Sequence, residues 1–143
     1  MTSPGPAPTR VREVMTREVV TLSPTHSFHD AVSVLASRRF HHVLVTDATG
    51  ALQGVISDRD LLRFMAGHRW EDATVADVMV PDVLSVGPET LVSAACEIMI
   101  AQRINCLPVV DEGKRIVGIL TSTDLLMTLQ RLQAEIEGKR RAA

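Results

Sequence analysis

Residues 54–62 read GVISDRDLL, and residues 118–126 read GILTSTDLL. Each stretch passes from an apolar, β-branched run into Ser57 or Thr121, with Asp60 or Asp124 three residues on and a Leu-Leu pair behind it. A hydroxyl residue followed at the third position by a carboxylate marks a helix start, because the two side chains reciprocally satisfy free backbone N–H groups. A strand therefore runs into a helix at each place. Its return at a fixed offset marks an internal duplication.

Carried upstream without a gap, the 64-residue offset lays residues 11–64 on 75–128. Val11, Val14, Met15, Val19, Pro24, Ala31, Arg39, Val45, Asp47, Gly54, Asp60, Leu61 and Leu62 each fall on the same residue type. Each copy reads β-α-β-β-α. A short strand over Val19–Leu22 or Val83–Val86 meets Ser-Pro or Gly-Pro, a turn signal. Phe28, Ala31, Val32, Leu35 and Ala36, like Val92, Ala95, Cys96, Met99 and Ile100, then have the spacing of one helical face. Strands over Val43–Thr46 and Leu52–Ile56, or Leu107–Val110 and Ile116–Leu120, flank a turn opened by Asp47 or Asp111. The crossover makes the first two strands parallel, and the short turn makes the last pair antiparallel.

The fold class is thus α/β (α+β), as two repeats. The expected divisions are a disordered N-terminal tail (1–10), repeat 1 (11–64), a polar linker with Gly67 and Trp70 (65–74), repeat 2 (75–128) and a C-terminal helix extension (129–143). A repeat of this size is marginal alone. Two can bury one sheet face each against the other about a pseudo-two-fold axis, leaving two clefts where small molecules could bind.

Of 143 residues, 45% are hydrophobic but only 3% aromatic, so the core is aliphatic. The net charge of −2 gives no field that would draw the chain to nucleic acid or an anionic membrane. No apolar run has membrane-spanning length, and MTSPGPAPTR at the start has no signal-peptide core. Cys96 and Cys106 stand in apolar stretches without metal-ligand spacing and read as buried thiols of a reducing compartment. A cytoplasmic protein is expected.

His26 and His29 sit three apart, and His41 and His42 are adjacent. Neighbours on a strand point to opposite faces, and no third ligand has site-like spacing, so no metal site is expected. Ser57 has no ordered base, and no glycine-rich phosphate loop exists, so no catalytic residues are assigned and the chain is not read as an enzyme. The two Ser/Thr-x-x-Asp motifs can be capping boxes alone. The same geometry also offers a helix N-terminus to an anion and a carboxylate to a vicinal diol such as a ribose.

The chain resembles the cystathionine-β-synthase (CBS) domain family, and the duplication resembles a tandem CBS pair, or Bateman module. The resemblance covers 11–128 and rests on Val14-Met15-Thr16, the Leu22-Ser-Pro24 turn, Leu107-Pro-Val-Val-Asp111 and the twice-occurring motif quoted above. It implies a stand-alone regulatory module that binds an adenosine-containing ligand (AMP, ADP or ATP, with S-adenosylmethionine or NAD as alternatives), requires no cofactor and signals to an unknown protein. Asp60 and Asp124 would hold ribose hydroxyls. One cleft would join Thr16, Phe40 and His41 to Ile119, Thr121, Thr123 and Asp124. The other would join Val80, Ile104 and Asn105 to Val55, Ser57, Arg59 and Asp60, with phosphate near Arg39, His42 or Arg59. The resemblance also implies a homodimer that meets through helical faces. The competing reading is an interaction module without a nucleotide.

The copies differ in ways that make the clefts unequal. Val80 stands in the place of Thr16, Arg59 in that of Thr123, and His41-His42-Val-Leu44 in that of Asn105-Cys106-Leu-Pro108. Beyond Asp124, Leu125, Leu129, Leu132 and Ile136 form a heptad-like stripe, suited to packing on its own domain or to a subunit contact.

Overall fold

The structure, a computed structural model, describes residues 9–38 and 41–142. In chain order the elements of the first half are α1 (Val11–Val14), β1 (Thr21–Leu22), α2 (Phe28–Arg38), β2 (His42–Thr46), β3 (Leu52–Ser57) and α3 (Asp58–Gly67). Those of the second are α4 (Val75–Val78), β4 (Val80–Pro81), α5 (Val92–Gln102), β5 (Cys106–Val110), β6 (Ile116–Thr121) and α6 (Ser122–Ala142). The first half keeps the expected order with a one-turn helix in front; in the second, β4 lies ahead of the place expected for the first strand. Among the described residues, no helix is long and apolar enough to cross a membrane.

β1 and β2 pair in parallel, and β2 and β3 pair antiparallel. In the second half β5 and β6 repeat the antiparallel pair. The strand expected over Val83–Val86 is reduced there to one parallel bridge, Val86 to Val109, and that over Val19–Leu22 shortens to Thr21–Leu22. The tight turn between β2 and β3 is held by the Asp47 carboxylate, which accepts from Thr49 N and Ala51 N at 2.9 and 3.1 Å. Asp111 does the same for Gly113 and Arg115. The left-handed position of this turn is Gly50 in the first copy and Lys114, at φ +61°, in the second.

The halves exchange their opening segments. β4, from the second copy, pairs antiparallel with β3 of the first, Val55 opposite Val80. Reciprocally, Thr16 and Ile119 bond backbone to backbone in both directions at 2.9 Å. A Cβ on Gly54 would stand 2.6 Å from the Val80 carbonyl, and one on Gly118 would stand 2.7 Å from Met15 Sδ and 2.9 Å from the Thr16 carbonyl. These two repeated glycines exist where the other half crosses the sheet.

The same exchange builds the cores. Phe28, Ala31, Leu35, Val43, Val45 and Ile56 pack with Val75 from the second copy's opening helix. Ala95, Met99, Leu107, Val109 and Leu120 pack with Val11 from the first's. Between the sheets lie Leu44, Val55, Cys106 and Ile119. Ala51 bridges to Arg115, its own counterpart at the 64-residue offset, so the pseudo-two-fold axis passes between them.

Three expectations change. Val32, Ala36 and Ile100 were placed on core-facing helix sides but are exposed, Ile100 by 78%, because α2 and α5 bury only the Phe28/Ala31/Leu35 and Ala95/Met99 rows. Trp70, in the expected polar linker, packs on Phe28 with ring centroids 5.4 Å apart, and Ala73 beside it is buried. The expected tail falls outside the described residues except at its end. There Thr9 accepts from Val92 N at 3.0 Å, and Arg10 bridges to Leu91, so that end is docked.

Candidate functional site

Both motifs form capping boxes. Ser57 N donates to Asp60 Oδ2 at 2.9 Å, and Asp60 N donates to Ser57 Oγ at 3.1 Å. Thr121 N donates to Asp124 Oδ2 at 2.8 Å, and Asp124 N donates to Thr121 Oγ1 at 3.3 Å. The strand ends, β3 and β6, aim these groups at the seam where the opposite half's opening segment crosses.

At that seam the clefts diverge. The Thr16 hydroxyl donates to Asp124 Oδ1 at 2.8 Å, a side-chain bond between residues 108 positions apart. Asp124 thus accepts on both oxygens, on Oδ2 from Thr121 at the start of its own helix and on Oδ1 from the other half. Val80, in the place of Thr16 at the 64-residue offset, pairs with Val55 and has no hydroxyl to give. The structure thereby brings Thr16, Ile119, Thr121 and Asp124 together, and Val80 with Val55 on one strand pair.

Other candidates, His41 and Asn105, make their contacts within their own halves. His41 Nδ1 is 3.4 Å from Asp58 Oδ2 in its own half, and no hydrogen bond among the described residues links it to Asp124. The Asn105 carbonyl similarly accepts from Ser122 N, at 3.0 Å. Ile104 is partly buried and packs against the second core. Arg59 and Thr123 are exposed on the first turns of their helices. Arg39 and Phe40 lie outside the described residues.

His42 opens β2 opposite Ser57. Burial pushes its imidazole below its ordinary range, outweighing the attraction of Asp58 and Asp60. It therefore offers a neutral N–H rather than a cation. Burial acts to raise the neighbouring Asp58 carboxyl, but His41 and the Arg59 N–H more than offset this and hold it low. Cys106, which takes the place of His42 in the second copy, is buried, and its thiol is pushed up to about 11, too high for an active thiolate at neutral pH.

A cavity of about 310 Å³ adjoins Asp124 and is lined also by Val14, Met127, Thr128, Gln130 and Arg131. Sequence reading named only Asp124 of these. The signal was present, since residues 124, 127, 128 and 131 follow the spacing of one helix face. It was missed because the 64-residue offset puts Gly67, where α3 ends, against Arg131. A second cavity of about 210 Å³ lies between the halves and includes Arg17, Val19, Thr21 and Ile116.

A family model for the CBS domain matches residues 11–67 and again 75–131. The chain is 33% identical over 131 residues to an inosine-5′-monophosphate dehydrogenase of Methanocaldococcus jannaschii, covering 90% of this chain and 25% of that one. It is 32% identical over 116 residues to the CBS domain-containing protein YhcV of Bacillus subtilis, covering 80% and 81%. The chain spans about a quarter of the length of the first curated relatives it matches. Among solved structures, it superposes on the CBS domain pair of protein MJ0100 in complex with 5′-methylthioadenosine and S-adenosyl-L-methionine with a TM-score of 0.79 at 25% identity, covering 86% of this chain and 97% of that one. For CBSX2 in complex with AMP the values are 0.78, 26%, 87% and 98%. For the cytosolic domain of the Mg2+ channel MgtE in complex with ATP they are 0.70, 30%, 80% and 46%. Duplicated motifs, exchanged opening segments and family match agree: the chain belongs to the CBS domain family and consists of a CBS domain pair.

Proposed function

We propose that this CBS pair is a regulatory module that binds an adenosine-containing ligand of the AMP, ADP or ATP class in its inter-repeat clefts and passes its occupancy to a protein partner, without catalysing a reaction. The observation that carries this reading is the placement of Asp60 and Asp124: each carboxylate caps a helix at the seam between halves, where a diol would touch both repeats. Similar CBS pairs hold AMP, ATP or S-adenosyl-L-methionine, which supports the ligand class and keeps S-adenosylmethionine and NAD as alternatives. The module is proposed to act in the cytoplasm as a homodimer.

A thermal-shift panel of AMP, ADP, ATP, S-adenosylmethionine and NAD tests this. A ligand at a hundred times its Kd adds ~2.7 kcal/mol, a rise of several degrees for a chain of this size. No rise with any compound at millimolar concentration would leave the second reading, an interaction module without nucleotide. The observation favouring that reading is that both oxygens of Asp124 are already bonded within the chain.

A further inference from the structure

We infer that the Asp124 cleft continues along α6 into a subsite for an anionic group, with Arg131 as its anchor, so that this cleft selects adenosine compounds charged on the 5′ side of the ribose over neutral ones. The inference rests on the adenosine-binding reading above and assigns its charge selectivity to one residue.

An open groove of about 310 Å³ reaches from Asp124 to Arg131. Seven residues make two helical turns, so Asp124 and Arg131 lie on the same face about 10 Å apart along the axis. Side chains on a helix lean toward its N-terminus, which shortens that gap for the guanidinium. Val14 and Met127 line the cavity with apolar surface, while Thr128 turns its hydroxyl onto the Asp124 carbonyl at 2.8 Å and makes no charge of its own. Arg131 is thus the cation of the lining, and it forms no ion pair among the described residues.

The matching helix face of the first half carries a different set, with Arg63 in the place of Met127. At the same offset Gly67 replaces Arg131, Ala66 replaces Gln130, and α3 ends there after 10 residues while α6 runs for 21. The change from Gly67 to Arg131, at matching positions of the two helices, therefore gives the Asp124 cleft a charge that the Asp60 cleft lacks at this position. The Asp60 cleft has Arg59 instead, on the first turn of its helix. The two clefts would hold an anionic tail in different directions.

Isothermal calorimetry on Asp60→Asn, which leaves one intact cleft, with and without Arg131→Gln, provides the test. The probes are AMP and ATP, whose 5′ groups are anionic phosphates, with adenosine as their neutral counterpart. Arg131→Gln is expected to weaken whichever charged compound binds by about tenfold, the scale of a hydrogen bond to a charged group, and to leave its neutral counterpart unchanged. Unchanged affinity for the charged compound, or equal loss for both, overturns the inference and leaves the proposed function intact. So does a wild type that binds while Asp60→Asn does not. A wild type that binds no adenosine compound overturns both.

Discussion

Asp124 serves its helix and the opposite half at once, and the two roles separate by substitution. Asp124→Asn keeps the shape but removes the charge at the helix start, where a cap is worth ~1 kcal/mol. It is expected to lower the urea-unfolding free energy by about that amount and to weaken the nucleotide by tenfold or more, because a charged acceptor for the diol is lost. Unaltered calorimetric affinity would reduce the motif to a capping box. His42 makes a different demand. Free imidazole titrates near 6.5, and burial holds this one lower in the fold. Between those two values the unfolded chain binds more protons, so stability rises with pH. The contribution is complete above about 6.5 and is lost as pH falls toward the folded value. The Asp58 carboxyl is held below its ordinary 3.8, so its stabilisation is lost only at lower pH. The wild type should unfold at less urea at pH 5.5 than at pH 7.5, and His42→Gln should narrow that difference. A variant with the full wild-type difference would clear His42 of it.

The elements are tuned by what crosses them. β3 and β6 each carry a glycine under the opposite opening segment. Gly54→Ala and Gly118→Ala should each cost ~1–3 kcal/mol, the usual range for forcing a methyl into a packed place. The loss should be visible as an earlier urea midpoint, and wild-type midpoints would show that the crossing segments yield freely. The β5–β6 turn is tuned less well. Lys114 holds the left-handed conformation that Gly50 holds in the other copy, at a cost of roughly 1–2 kcal/mol for a side chain. Lys114→Gly should raise stability by about 1 kcal/mol once the greater freedom of glycine when unfolded is subtracted. A lower melting temperature would contradict that. The α6 helix continues past the point where α3 stops because Leu, Gln, Arg, Ala and Glu, good helix formers, follow Asp124.

At the scale of the molecule, helices α3 and α6 leave matching apolar residues uncovered, Leu62 and Met65 on one, Leu126 and Leu129 on the other. The α6 stripe continues through Leu132 and Ile136, 51% and 45% exposed. Contiguous apolar surface of this kind marks association, and a closed two-fold contact is its commonest form. Light scattering should find a dimer. Leu129→Glu with Leu132→Glu should shift it toward monomer and leave the unfolding transition nearly in place, since both side chains are already half exposed. A wild type that stays monomeric across micromolar concentrations would end the dimer reading and leave the stripe unexplained.

The amino-acid order alone determined the duplication, the parallel and antiparallel pairings, and the caps at Ser57 and Thr121. These features are local: hydroxyl and carboxylate spacing, turn residues and apolar periodicity act within a few positions of themselves. The tertiary structure decided what depends on distant partners. Val11 and Val75 enter each other's cores, Trp70 joins Phe28, and Ile100 is left outside. Periodicity identifies an apolar face without saying how wide a strip its neighbour covers, so Ile100 reads like Met99 until α5 is packed. The candidate site divides the same way. The spacing of Asp60 and Asp124 was legible, but the Thr16 hydroxyl reached Asp124 only because the opening segments are exchanged, and Arg131 lines a cavity with Asp124 only because that exchange sets Val14 beside α6. A side-chain contact across 108 positions depends on how two sheets face each other, and no local pattern encodes that distance.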